Sequence, residues 1–144
     1  MAYRRIQEII EQQELITASE TLRVVDAARL MREKQVGAVL VVEQDVLVGI
    51  FTERDALFRV LAEGRDPRAT RLAEVMTRNP QTIGPERPFS EALHLMHRGG
   101  FRHVPVVEGT RPVGMVSARD ALGPELEDFV YELLRQEQAY DVLA

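Results

Sequence analysis

The chain is predicted to be an α+β protein built from two tandem βαββα-type repeats related by pseudo-twofold symmetry, with extra N- and C-terminal helices. Three observations carry this. The stretch Gly49-Ile50-Phe51-Thr52-Glu53-Arg54-Asp55 returns 65 positions later as Gly114-Met115-Val116-Ser117-Ala118-Arg119-Asp120, and both copies run on into Ala-Leu. The residues Val24, Ala27, Ala28 and Met31, at the i, i+3, i+4, i+7 spacing of an amphipathic helix, return at the same offset as Phe89, Ala92, Leu93 and Met96. In each half, two β-branched runs stand between that helical stripe and the motif. Self-similarity at a fixed offset marks a duplicated structural unit.

Taken in order, Ile6, Ile9 and Ile10 fall on one stripe of a short helix surrounded by Gln and Glu. It is too short to hold by itself and is expected to pack on another element. After Leu15-Ile16-Thr17, residues 21–34 form the first amphipathic helix, which Gly37 is expected to end near Val36. Ala38-Val39-Leu40-Val41-Val42 and Val46-Leu47-Val48-Gly49-Ile50-Phe51 read as paired strands around a turn at Glu43-Gln44-Asp45. From Thr52 the pattern is helical again through Leu57, Val60 and Leu61, and residues 63–68 read as a linker. The hairpin recurs as Val104-Pro105-Val106-Val107 and Pro112-Val113-Gly114-Met115-Val116, and Thr17 maps to Thr82. Pro124 suits the first turn of a last helix, with Leu126, Phe129, Val130, Leu133 and Leu134 on one face. That face is expected to dock on the pair or on another subunit, with Tyr131 and Tyr140 outside the stripe. The chain is thus divided into 1–66 (N-terminal helix and first repeat), 67–123 (second repeat) and 124–144 (last helix).

Composition narrows the function. A chain of 144 residues is about one domain's worth and buries ~68–70% of its unfolded surface. With no cysteine, thiolate catalysis and Cys-based zinc sites are excluded and a reducing compartment is permitted. The opening MAYRRIQEIIEQQ has no apolar run of signal-peptide or membrane-spanning length, so a soluble cytoplasmic protein without a membrane partner is expected. A formal charge of -5 counts against general affinity for nucleic acid, although Arg65, Arg68 and Arg71 form a local cluster.

The repeated motif has chemistry of its own. A glycine in a strand lets a flat ligand or another backbone come close, and the turn after it opens a helix whose unpaired N–H groups favour phosphate. Thr52 or Ser117 can donate a hydroxyl to phosphate, and Asp55 or Asp120 can accept from a ribose hydroxyl pair. A second reading fits the same residues: Thr52-x-x-Asp55 and Ser117-x-x-Asp120 match a capping box. Such a cap is worth ~1 kcal/mol and needs no ligand. Duplication does not separate the two, but Arg102, His103, Arg119 and Arg54 have no capping duty and tip the balance toward a ligand.

The runs VGAVLVV and LVGIFTERDAL, then VMTRNPQTI and FRHVPVVEGTRPVGMVSARDAL, resemble a pair of CBS domains of the stand-alone bacterial type, the repeats that associate into a Bateman module. The resemblance covers roughly residues 15–122 and leaves both terminal helices outside. It implies a regulatory module that senses an adenine nucleotide (AMP, ADP, ATP, or NAD or S-adenosylmethionine) and signals by a change of shape or association. Adenine is then held between the strands and the segment around the early threonine. Residue by residue, the resemblance adds Thr17, Ala18 and Ala38 in the first half and Thr82, Ile83, Val104 and Pro105 in the second. Arg102 and His103 match basic positions near phosphate, with Lys34 and Arg54 as further candidates of that kind. It also implies a homodimer in which four repeats make a disc, together with an effector protein that the sequence does not identify.

The halves are unequal. Where the second has Arg102-His103-Val104-Pro105, the first has Gly37-Ala38-Val39-Leu40, which suggests two sites of different affinity or one site and a vestige. No cofactor is expected to be required and no catalysis is expected, since Ser117 lacks a base and no carboxylate pair suits acid/base work. His94 and His97, at i, i+3, lack a third ligand and read as exposed polar positions, while Met31 and Met96 read as core. Two other readings stay open: a dimerisation or docking scaffold with no nucleotide site, and a nucleic-acid binder using the linker arginines.

Overall fold

The β-branched runs pair where the repeat places them. In the computed structural model, which describes residues 4–143 and side chains through residue 137, β2 (Ala38–Glu43) runs antiparallel to β3 (Val46–Thr52), and β5 (His103–Glu108) to β6 (Arg111–Ser117). The helices α2 (Val24–Lys34) and α5 (Phe89–Gly99) precede these hairpins. The 65-residue offset holds for both helices and all four strands, down to a bulge at Val41/Val42 that recurs at Val106/Val107. In the first hairpin, Gln44 and Asp45 both take positive φ, 50° and 63°, the conformation whose twist matches that of the flanking strands.

The end of α2 differs from expectation. The left-handed residue that stops it is Gln35 (φ 54°), not Gly37, while in α5 the equivalent position is Gly100 (φ 71°). Ala28 is exposed, so the buried stripe of α2 is Val24, Ala27 and Met31. These three pack with Val39, Val41, Phe51 and Val60 in a first core, and Phe89, Ala92, Leu93 and Met96 pack with Val104, Val106 and Val116 in a second. A third cluster, Ala38, Leu40 and Ile50 with Met115 against it, joins the two hairpins, assisted by the Leu47 N–H donating to Thr110 O at 2.9 Å.

Each repeat is completed by the other's leading helix. The helix α1 (Ile6–Ile10) stands before the first repeat, yet Ile6 is buried in the second core. The helix α4 (Leu72–Val75) stands before the second, yet Leu72, Val75 and Met76 are buried in the first. Both helices start alike, with the Glu8 carboxylate accepting from Arg5 N and that of Glu74 from Arg71 N, each at 2.7 Å. Backbone bridges Arg5–Pro88 and Arg23–Arg71 seat them. The sequence division at residue 66 therefore parts segments whose packing crosses it.

The sheets show the same exchange. In the first, β1 (Thr17–Ala18) lies parallel to β2 and β4 (Thr77–Arg78) antiparallel to β3, in the order β1-β2-β3-β4. In the second, one parallel bridge between Ile83 and Val106 replaces the outer strand on one side. On the other, the Gln13 side chain acts as a peptide unit, its Nε2 donating to Met115 O at 2.7 Å and its Oε1 accepting from Met115 N at 2.9 Å. The backbone groups of this sheet edge are thus paired by a side chain where no strand is present.

After the motif the halves diverge. In the first, α3 (Glu53–Asp55) runs straight into a π-helical segment, Ala56–Leu61, in which Ala62 N bonds Leu57 O at 2.9 Å. In the second, a 3₁₀ turn, Ala118–Asp120, is followed by extended Ala121 before α6 (Gly123–Leu143) begins. Phe129 of α6 docks on the chain's own second core, 5.0 Å from the His94 ring and 5.9 Å from that of His97. His94 Nε2 lies 2.9 Å from Glu132 Oε2, so this histidine is a packing residue under α6 and not an exposed one. Leu126, Val130, Tyr131 and Leu134 remain exposed; the Tyr140 side chain lies outside the described residues. Among the described residues no helix is long and apolar enough to cross a membrane.

Candidate ligand cleft between the repeats

Both motif turns are capping boxes, closed to different degrees. In the first, Asp55 Oδ2 accepts from Thr52 N at 2.9 Å and from Thr52 Oγ1 at 3.1 Å, while Oδ1 accepts from Thr77 Oγ1 at 3.4 Å and faces Arg59 Nε at 3.5 Å. Asp55 is 6% exposed, with both oxygens engaged by its own chain. In the second, Asp120 Oδ2 accepts from Ser117 N at 2.7 Å and Ser117 Oγ at 3.3 Å. Its Oδ1 has no partner among the described residues, and the residue is half-buried. The inequality of the halves thus includes the aspartates: one is consumed by structure, the other keeps an oxygen free.

The motif glycines serve packing and not a ligand. A Cβ at Gly49 would stand 2.7 Å from Met76 Sδ and 2.9 Å from Thr77 O, and one at Gly114 would stand 2.6 Å from Ile10 Cγ2. The close approach expected at these positions is made by the exchanged segments themselves.

A cleft of about 500 Å³ opens where the repeats meet, lined by Gln35, Val36, Gly37 and Glu53 from the first and by Arg102, His103, Ser117, Ala118 and Arg119 from the second. Gly37 and Arg102 are equivalent under the 65-residue offset, as are Glu53 and Ala118, so the cleft straddles the pseudo-twofold axis. One lip carries Arg102, His103 and Arg119, and the other carries Glu53. Among the described residues, none of these four side chains makes a hydrogen bond or ion pair. Glu53 Oε1 and His103 Nε2 each lie 3.2 Å from the point where Gly37 would carry a Cβ, so both lean into the space that this glycine leaves.

Burial pulls the His103 imidazole below its ordinary pKa; Glu53 and Asp120 oppose this, and Arg102 and Arg119 reinforce it. The ring is therefore neutral at neutral pH, and the standing positive charge of the lip is that of the two guanidinium groups.

Of the residues expected to bind, Arg102, His103, Ser117 and Arg119 come together at the cleft. Thr52 and Asp55 sit beside it and are engaged with each other. Arg54, the counterpart of Arg119, crosses to the second repeat and donates to Gly100 O at 3.0 Å, whereas Lys34 pairs with Glu14 at 2.9 Å. Ala38, Val104, Pro105 and Ile83 are buried and do not line the cleft; nor do Thr17 and Ala18 of the edge strand β1, or Thr82. Gln35, Val36, Gly37, Glu53 and Ala118 line it as well, although no binding role is expected of them from the sequence. The offset itself marks one of them, since Arg102 points back to Gly37.

A family model for the CBS domain matches residues 6–62 and 72–124, taking in α1, which the sequence resemblance leaves outside. The CBS domain-containing protein YhcV of Bacillus subtilis is 36% identical over 107 residues, which cover 74% of this chain and 76% of that protein. The hexameric CBS-CP12 protein from bloom-forming cyanobacteria is similar with a TM-score of 0.75 and 33% identity, over 89% of this chain and 73% of that one. The CBS domain pair of protein MJ0100, in complex with 5′-methylthioadenosine and S-adenosyl-L-methionine, is similar with a TM-score of 0.75 and 26% identity, over 83% of this chain and 93% of that one. Matched relatives from Arabidopsis thaliana are longer, and the chain spans 14% to 57% of their length.

Proposed function

Because the chain belongs to the CBS-domain family, we propose that it is a regulatory module whose inter-repeat cleft binds an adenine nucleotide, with AMP, ADP, ATP, NAD and S-adenosylmethionine as the ligands to compare. The observation that carries this is the unspent lip: Arg102, His103 and Arg119 face a cleft of about 500 Å³ with no partner among the described residues. That volume suits a ligand of nucleotide size. Ser117, which lines the cleft, is assigned to phosphate; Asp120 is outside the lining but follows Arg119 in the same turn, and its free oxygen is assigned to ribose hydroxyls. The adenosyl ligands of the MJ0100 pair support an adenosine-bearing compound here.

The signal is proposed to pass through shape or association, since a ligand shifts an equilibrium only by binding one state better than another. Leu57 and Leu61 are exposed, as are their 65-offset counterparts Leu122 and Leu126. We assign this apolar pair of faces to a homodimer, and an effector protein would read its state. The scaffold reading is favoured by the same exposed residues and by the internally closed Thr52–Asp55 box, so the two must be separated by ligand.

Nucleotide at about 100 times its dissociation constant is expected to stabilise the fold by ~2.7 kcal/mol, a melting shift of roughly 8–11 °C. A flat melting profile across all five compounds, on protein freed of bound ligand, leaves the scaffold.

A further inference from the structure

We propose that Glu53 limits how much negative charge the cleft accepts, so that the site favours a ligand with one phosphate over a polyphosphate. This rests on the adenine-nucleotide reading and concerns the selectivity of the same cleft. Glu53 stands where the second repeat has Ala118, so the carboxylate is present on one lip only. Its Oε1 and His103 Nε2 approach the same point above Gly37, 3.2 Å from each, which sets the acid directly across the cleft from the basic lip. Among the described residues no cation neutralises it.

The charges facing the cleft are then Arg102 and Arg119 against Glu53, with His103 uncharged at neutral pH and Asp120 half-buried at the turn below. A monophosphate carries about −1.5 to −2 at neutral pH, which the two guanidinium groups match. Each further phosphate adds negative charge without adding a cation to receive it. It also brings that charge toward Glu53, an exposed carboxylate, so the repulsion acts across a solvated cleft and is strongest at low ionic strength.

The test is calorimetric titration of AMP, ATP and adenosine, without magnesium, into the full chain and into Glu53→Gln and Ala118→Glu. Glu53 is exposed and makes no bond through its side chain, so Glu53→Gln is expected to keep the wild-type melting temperature. It should raise affinity for ATP by roughly tenfold more than for AMP, and Ala118→Glu should lower ATP relative to AMP. An ATP-to-AMP ratio unmoved by Glu53→Gln, with AMP still bound, overturns the inference and leaves the nucleotide site standing. Absence of binding by all three compounds to the wild-type chain removes both. If Ala118→Glu does not fold, the ratio in Glu53→Gln decides alone.

Discussion

Replacing the two motif aspartates one at a time separates a structural cap from a ligand residue. Asp55→Ala removes a nearly buried carboxylate and with it the bonds to Thr52 N, Thr52 Oγ1 and Thr77 Oγ1. The loss of a buried cap is worth about 2 kcal/mol. Little is added for Arg59, whose side chain is half exposed and whose pairing is solvent-screened. At about 3–4 °C per kcal/mol for a chain of this size, the melting temperature falls by about 6–8 °C. Asp120→Ala loses one shared cap oxygen at a half-exposed turn, about 1 kcal/mol and about 3–4 °C. Affinity should respond in the opposite order. Asp120→Ala removes an acceptor with an oxygen to spare, and a hydrogen bond to a charged group is worth about 1.5–3 kcal/mol, or roughly 10- to 150-fold in dissociation constant. Asp55→Ala, whose oxygens are spent internally, should weaken binding by less than about threefold. Urea denaturation followed by calorimetry with AMP measures both quantities. Equal destabilisation by the two variants, with unchanged affinity in each, would refute the reasoning and reduce both turns to caps.

Three further outcomes follow from the same geometry. Gly114→Ala places a Cβ 2.6 Å from Ile10 Cγ2 and should cost about 1–3 kcal/mol by urea denaturation, through displacement of α1 from the second core. Arg102→Ala should lower affinity for ATP more than for adenosine in calorimetric titration; equal losses would take this side chain away from phosphate. His103 has a folded-state pKa below its unfolded value, so the unfolded chain binds that proton more readily. Its contribution to stability is complete above about pH 6.5 and is lost as pH falls through the depressed value. The difference in unfolding free energy between wild type and His103→Gln should therefore change below that pH and be flat above it.

The parts of the fold that were legible in the sequence are those whose burial shows in a local period. Val24, Ala27 and Met31 recur every third or fourth residue, and the β-branched runs are continuously apolar, so each announces a surface that must be covered. Neither says what covers it. The exchange of α1 and α4 was hidden because Ile6, Ile9 and Ile10 occupy little more than one turn, and a single turn fits either core. Gln13 gave no signal, since its role as a surrogate strand comes from one side-chain amide meeting Met115. At the site, Arg102, His103, Ser117 and Arg119 were found from the motif and its offset. Gly37 was read as a helix stop, a role that Gln35 takes instead. Glu53 is, in the sequence, only the variable residue between the hydroxyl and Arg-Asp, because a charge on an exposed turn has no period to betray it. Its significance comes from facing the other repeat, a relation between residues distant in the chain.

The exchanged leading helices also set an order on how the chain can acquire its structure. As it is synthesised, the first repeat has β1, β2 and β3 by Thr52, yet its sheet lacks β4 and its core lacks Leu72, Val75 and Met76, and both stay open until those residues emerge. Ile6 in turn must wait for Phe89 and Ala92 of the second repeat, with which it shares a core. Contacts that close long loops slow folding. A chain stopped at residue 66 is therefore expected to remain largely unfolded on the ribosome or in solution, and one that begins after Ile10 to expose the second core to aggregation. Folding competence is therefore expected only once both repeats are complete, and a truncated product is not expected to persist as a folded half.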